Sequence, residues 1–315
     1  MVAMQDGAVV FERYGNGGAA DRGETLASGT KSFTCTLASA AQADGLLAID
    51  ELASTAVRPW GASGDAPQLA LKQQIRLRDL LSIHSGLAPS GVAGGALNTV
   101  DSYAQAFYAE SRAAPDTGAS YNPNHFQAAM AVFELRTGGA FDGAGVVRGG
   151  RDPLDYLQSR VFDRIGVRPT DWSRDRNGKP NFGGGASMTA RDWARYGAFV
   201  AQHGQWNGTQ VVPADLMRRC LEYRPGGFQG YALGWWVNRP VGASYNPQRD
   251  SVPWTAAVEA RWAAGGKIAP SAPDDLAIAF GAGNRKLFVI PSRRLSIALI
   301  AGDNDDEGFF SRLGL

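Results

Sequence analysis

Apolar and polar positions alternate over residues 2–4 and 8–14, and Gln5-Asp6-Gly7 between them carries turn chemistry, so the chain opens as a predicted β-hairpin. A loop over 15–21 follows, and the period then changes. Phe33, Leu37 and Ala40/Ala41 recur at helical intervals, which predicts a helix over about 28–43 that ends near Gly45. A short helical piece continues over 46–56. Residues 75–87 (IRLRDLLSIHSGL) read as an amphipathic helix, with Gly86 where a left-handed cap is wanted. A Gly-rich loop over 88–100 leads to predicted helices at 101–112 and 123–137; Pro123 sits in a first turn, where its missing N–H costs nothing. Thr189 and Asp192 mark the start of a helix running to about 202, and Pro213 opens another. From Tyr231 the pattern turns to strands, at 231–237, 276–280, 286–290 and 295–300, the last two joined through Pro291-Ser292-Arg293-Arg294.

Strands at both ends and helices between them predict an α+β fold: one antiparallel sheet with flanking helices, plus a mostly helical lobe. The sheet-bearing lobe takes residues 1–44 and 225–315, the helical lobe 45–224, and a cleft between them faces the start of the 28–43 helix.

Composition narrows the function classes. The 315 residues suffice for a sizeable core, and the net charge of +1 with no Lys/Arg run argues against nucleic acid and anionic membranes as partners. No stretch is apolar enough to span a bilayer. Residues 1–14 read as a hairpin and not as a signal peptide, which leaves two expectations: a cytoplasmic protein, or an exported one whose leader is missing from this sequence. Oligomeric state stays open. Cys35 and Cys220 form no metal-binding spacing and read as buried free thiols, with a structural disulfide as the alternative. Neither a metal nor a cofactor is expected.

The candidate chemistry starts at Ser28 and Lys31, three residues apart and hence on one helix face. A hydroxyl beside a partly desolvated amine is a nucleophile with its activator attached. The three histidines, His84, His125 and His203, form no metal motif and no serine–histidine elbow. His84 reads as structural, and His125, near Tyr121, as a possible substrate contact. The acidic run Asp303–Gly308 lacks the closing acid of a calcium loop and reads as a solvated turn. Trp235 and Trp236 point to opposite faces of a strand, one into the core and one toward the cleft.

The segments Ser28-Gly29-Thr30-Lys31, Ile75–Leu87, Gly183–Asp192 (GGGASMTARD), Gly204–Val212 (GQWNGTQVV) and Tyr231–Trp236 (YALGWW) together resemble the serine β-lactamase-like superfamily. The resemblance is to its branch of class C β-lactamases, D-aminopeptidases, family VIII carboxylesterases and 6-aminohexanoate-dimer hydrolase. It implies a β-lactamase/transpeptidase-like fold and acyl transfer through Ser28, with Lys31 and Tyr121 in the proton chemistry. Tyr121 matches the family's catalytic tyrosine. The amide two residues on is replaced by Pro123, so Asn122 or Asn124 is expected to substitute. The family's strand triplet corresponds to Gly281-Ala282-Gly283, without its Lys or His. Gly283 would let a substrate carbonyl approach, and the backbone N–H groups of Ser28 and Asn284 would form the oxyanion hole. The resemblance implies a carboxylesterase-like serine hydrolase acting on small esters or amides. β-Lactamase, D-peptidase or amide-oligomer hydrolase activity, or a non-catalytic binding relative, stand as alternatives.

Overall fold

The computed structural model describes residues 1–15, 17–90, 97–300 and 305–314. The two ends of the chain meet in a six-stranded antiparallel sheet. Its order is Trp236–Val237, Ala277–Gly281, Arg285–Ile290, Leu295–Leu299, Val2–Gln5 and Ala8–Glu12. Val2 stands opposite Ala298, so the N-terminal hairpin extends the C-terminal meander. The alternation read from sequence places Leu287 and Phe288 on opposite faces. Leu287 faces helix Ala190–Ala201. A Cβ on Gly197 of that helix would lie 2.7 Å from Leu287 and 2.8 Å from Ser296, so glycine lets helix and sheet close up. Phe288 faces helix Asp306–Leu313, stacking on Phe309 at 5.4 Å and meeting Phe310 edge-on at 5.0 Å. The expected α+β architecture is the one observed.

The helix after Ser28 and Lys31, Phe33–Ala43, is buried along most of its length, because its apolar and small side chains face neighbours all round. Phe33 packs on Tyr196 at 4.5 Å and on Phe162 at 5.4 Å. Helix Asn124–Arg136 lies beside it and carries the Tyr121 turn at its start.

Several expectations are corrected. Cys35 and Cys220 are not free thiols but a disulfide, with Cα atoms 5.8 Å apart. Helix Phe33–Ala43 packs on helix Ala214–Glu222 and brings together residues 185 positions apart. In the chain-entropy picture a loop of that length contributes about 5 kcal/mol. The 75–87 segment is helical only over Leu77–Leu81, where Asp79 and Arg76 form a capping box; Ile83, at φ +63°, breaks the continuation. The 231–237 strand shrinks to Trp236–Val237, because Tyr231 folds back to bridge Trp236. The 46–56 piece keeps one 3₁₀ turn, Ala53–Thr55. Of the acidic run, Asp303 and Asn304 lie outside the described residues. Asp305 caps the last helix by accepting from Gly308 N at 2.9 Å, and Asp306 forms a buried ion pair with Lys286.

Candidate active site

The predicted helix over 28–43 starts differently from expectation. Ala27–Ser32 is a 3₁₀ helix that runs into the α-helix at Phe33. Its entry is strained: Ala27 sits at φ +46°, in the left-handed region that β-carbons disfavour. The turn is pinned to the 186–188 strand. Leu26 N donates to Ala186 O (2.8 Å), Thr30 Oγ1 to Ala27 O (2.7 Å), and Ala186 N to Thr30 Oγ1 (3.1 Å). The tighter winding keeps Ser28 and Lys31 in register, because i and i+3 eclipse in a 3₁₀ helix.

Lys31 is buried, and its Nζ donates to Ser28 Oγ at 2.8 Å and to Gly183 O at 2.5 Å. No carboxylate pairs with it among the described residues. Burial alone lowers its pKa from 10.5 to about 7. The ammonium also lies 4.8 Å from the ring centroid of Tyr121 and 5.5 Å from that of Phe126. Gly183 is held against Pro123, on which a Cβ at 183 would intrude at 2.7 Å. Pro123 therefore shapes the seat of the lysine, although it supplies no amide of its own.

Tyr121 closes the group. Burial raises its pKa to about 12, partly offset by hydrogen bonding with the Ser28 hydroxyl and the Trp236 indole. Its ring stacks on Trp236 at 5.3 Å and meets Tyr231 edge-on at 6.1 Å. Trp235 points the other way and stacks on Tyr196, as alternation predicts. At neutral pH Tyr121 is a phenol, while the lysine titrates near that pH. The amine is thus the group able to accept the serine proton.

Asn122 and Asn124 take scaffold roles. Asn122 Nδ2 donates to Leu87 O at 2.9 Å, and its Oδ1 accepts from Asn124 N at 3.0 Å. Asn124 Nδ2 donates to Ala88 O and its Oδ1 accepts from Ser90 Oγ, both at 2.8 Å. Both side chains are buried and hold the Tyr121 turn against the 87–90 segment. His125 does the same from below. It is fully buried, hydrogen-bonded to Ser85 Oγ at 2.8 Å and Ser120 O at 2.6 Å, with its pKa pushed down to about 3 by burial. The expected substrate contact at His125 gives way to a neutral structural imidazole. His84 is likewise buried, its Nδ1 2.5 Å from Ser82 O.

The strand facing the Ser28 turn brings up a different glycine from the one expected. In the hairpin register Gly281 pairs with Arg285, so Ala282, Gly283 and Asn284 form the connecting turn. Gly283 and Asn284 hold φ of +77° and +58°, as a tight turn requires. Gly281 is the residue packed on the turn that carries Ser28: a Cβ there would lie 2.0 Å from Leu26 O and 3.2 Å from Gly29 N. Gly281→Ala is therefore expected to push strand and nucleophile turn apart and to lower kcat at least tenfold with the fold retained. Esterase kinetics with circular dichroism on the same sample check this, and unchanged kcat would mean that the contact is not needed.

The sequence reading did not single out Trp254, which lies 5.2 Å from Trp236 and 5.2 Å from Phe280. Its position depends on a long loop with no periodic pattern.

This geometry can be set beside known proteins. The β-lactamase family model matches residues 1–311. Curated proteins give no significant match. Among solved structures, one proposed as a 6-aminohexanoate-dimer hydrolase from Bacillus anthracis aligns with TM-score 0.70 at 17% identity, over 99% of this chain and 76% of that one. A penicillin-binding protein homologue from Caulobacter crescentus aligns with TM-score 0.66 at 14% identity, over 100% and 91%. A family VIII carboxylesterase aligns with TM-score 0.61 at 14% identity, over 98% and 89%. At such identities these likenesses speak for the fold, whereas the match along nearly the whole sequence speaks for ancestry: this chain belongs to the β-lactamase family.

Proposed function

We propose that this protein is a serine hydrolase that cleaves small esters or amides through an acyl-enzyme on Ser28, with carboxylesterase-type activity foremost. The observation that carries the reading is the Lys31 amine, 2.8 Å from Ser28 Oγ and held by burial at a pKa of about 7. A neutral fraction of that amine takes the serine proton as Oγ attacks the carbonyl carbon. The oxyanion is met by the Ser28 N–H. Its second donor, expected from the sequence at the Asn284 N–H, belongs to the Gly281–Asn284 turn, whose Gly281 packs on the nucleophile turn. Tyr121, a phenol within reach of Ser28, passes the proton to the departing oxygen or nitrogen as its bond to the acyl carbon breaks. Water then attacks the acyl-enzyme by the same relay, and the carboxylic acid leaves.

Ala279-Phe280-Gly281, the end of the strand packed on the nucleophile turn, carries no cationic side chain. This favours neutral esters and amides over β-lactams and D-peptides, which carry a carboxylate. The Cys35–Cys220 bridge supports folding in an oxidising compartment.

A fluorophosphonate tests the reading directly. Mass spectrometry of the folded protein is expected to find one phosphonyl adduct, on the peptide carrying Ser28. Absence of labelling on folded protein would favour a non-catalytic binding relative, and faster turnover of nitrocefin than of p-nitrophenyl butyrate would favour a β-lactamase.

A further inference from the structure

A small aromatic slot lies along the strand that carries Gly281 and is linked to Tyr121 through Trp236. The 251–254 segment is tied by its backbone to the Tyr121 turn: Ser251 N donates to Ala119 O at 2.9 Å, and Tyr121 N donates to Ser251 O at 2.8 Å. That tie delivers Trp254 to the strand that carries Gly281. A continuous ring wall results, Tyr121 on Trp236 at 5.3 Å, Trp236 on Trp254 at 5.2 Å, and Trp254 tilted on Phe280 at 5.2 Å. Phe280 immediately precedes Gly281. Trp254 and Phe280, with Pro253, Thr255 and Lys286, line a cavity of about 220 Å³. Asp306 neutralises the Lys286 ammonium, which lies 5.4 Å over the Phe280 ring, so the slot is not built for an anion. Among the described residues Trp254 Nε1 is buried and finds no hydrogen-bond partner.

Resting on the hydrolase reading, we infer that this slot seats an aromatic ring on the leaving group, so that arylmethyl esters are the preferred substrate class. The side follows from Tyr121. The group that passes a proton to the departing oxygen stands next to that oxygen, and Trp254 is attached to the Tyr121 turn. In the step, the Ser28 Oγ–acyl bond forms, the acyl–oxygen bond breaks, and the arylmethyl alcohol leaves carrying the proton.

The test compares benzyl acetate with ethyl acetate, whose alcohols are of similar acidity, and ethyl phenylacetate with ethyl acetate as the control for the acyl side. The wild-type protein is expected to favour benzyl over ethyl acetate by about 30- to 100-fold in kcat/KM, the size that burying a phenyl ring gives. Trp254→Ala is expected to lower that ratio at least tenfold, Trp254→Phe to retain most of it, and neither to move the acyl-side ratio. An unchanged ratio in folded Trp254→Ala overturns the slot, and a shift confined to the acyl-side ratio overturns its assignment to the leaving group. If Trp254→Ala does not fold, Phe280→Leu reads the other wall by the same ratios. Saturation-transfer NMR of benzyl alcohol with Ser28→Ala and the Ser28→Ala/Trp254→Ala double variant separates the slot from the hydrolase reading. Binding that depends on Trp254, with no Ser28-dependent turnover of any ester, keeps the slot and overturns the hydrolase. Neither binding nor turnover overturns both.

Discussion

Ser28→Ala is expected to reduce p-nitrophenyl butyrate hydrolysis to the uncatalysed background, a loss on the order of 10⁴–10⁶ in kcat, as removal of a covalent nucleophile does in serine hydrolases. The proposed acyl-enzyme forms on this hydroxyl. Among the described residues the Ser28 hydroxyl is the one placed against the Lys31 amine, and the buried histidines are engaged in the scaffold. Stability is expected to change by less than about 1 kcal/mol, because a half-buried hydroxyl is exchanged for a methyl group on a turn held by other bonds. Side-by-side kinetics and thermal melts check both statements. A variant that keeps more than a tenth of the wild-type rate would remove Ser28 from the mechanism.

Lys31→Met combines a large loss of activity with a gain in stability. The loss, about 10²–10⁴-fold in kcat, is that of a general base. The gain follows from linkage. Burial lowers the amine from 10.5 to about 7, so the folded protein binds fewer protons than the unfolded chain between those values. Below about pH 7 the folded state carries the full cost of a buried ammonium; the cost shrinks as pH rises and vanishes above about 10.5. At pH 7 it amounts to about 4 kcal/mol. Losing the bonds to Ser28 Oγ and Gly183 O returns about 2 kcal/mol, leaving a net gain of about 2 kcal/mol for the isosteric methionine. Chemical denaturation at pH 6, 8 and 10 is expected to show the variant's advantage falling as pH rises. The same titration sets the wild-type rate profile: activity rises through about pH 7, and Tyr121, protonated up to about 12, adds no falling limb before then. An advantage that does not vary with pH would place the lysine's titration elsewhere.

Local pattern was enough for those parts of the molecule in which neighbours in sequence are neighbours in space. Alternation located the C-terminal strands to within a residue or two, since a half-buried strand must place every second side chain inward. Thr189 and Pro213 marked helix starts observed at Ala190–Ala201 and Ala214–Glu222. The Ser28 and Lys31 pairing is likewise a matter of three residues' spacing, and it survives the change from α to 3₁₀ winding.

Tertiary structure decided what depends on residues distant in sequence. Two cysteines 185 positions apart carry no sign of their pairing until two helices pack. That Gly281 packs on the 26–29 turn while Gly283 lies in the connecting turn rests on the register against Arg285, and a shift of two along a glycine-rich strand leaves the sequence pattern unaltered. Asn122, Asn124 and His125 look like site residues because they adjoin Tyr121, yet the chain path turns their polar atoms to the scaffold. Sequence by itself determined the fold class and the juxtaposition of Ser28 with Lys31, because spacing and periodicity are local. Only the packed chain decided the lysine's lowered pKa, the disulfide and the aromatic wall, because burial and long-range contact exist only once the chain has folded.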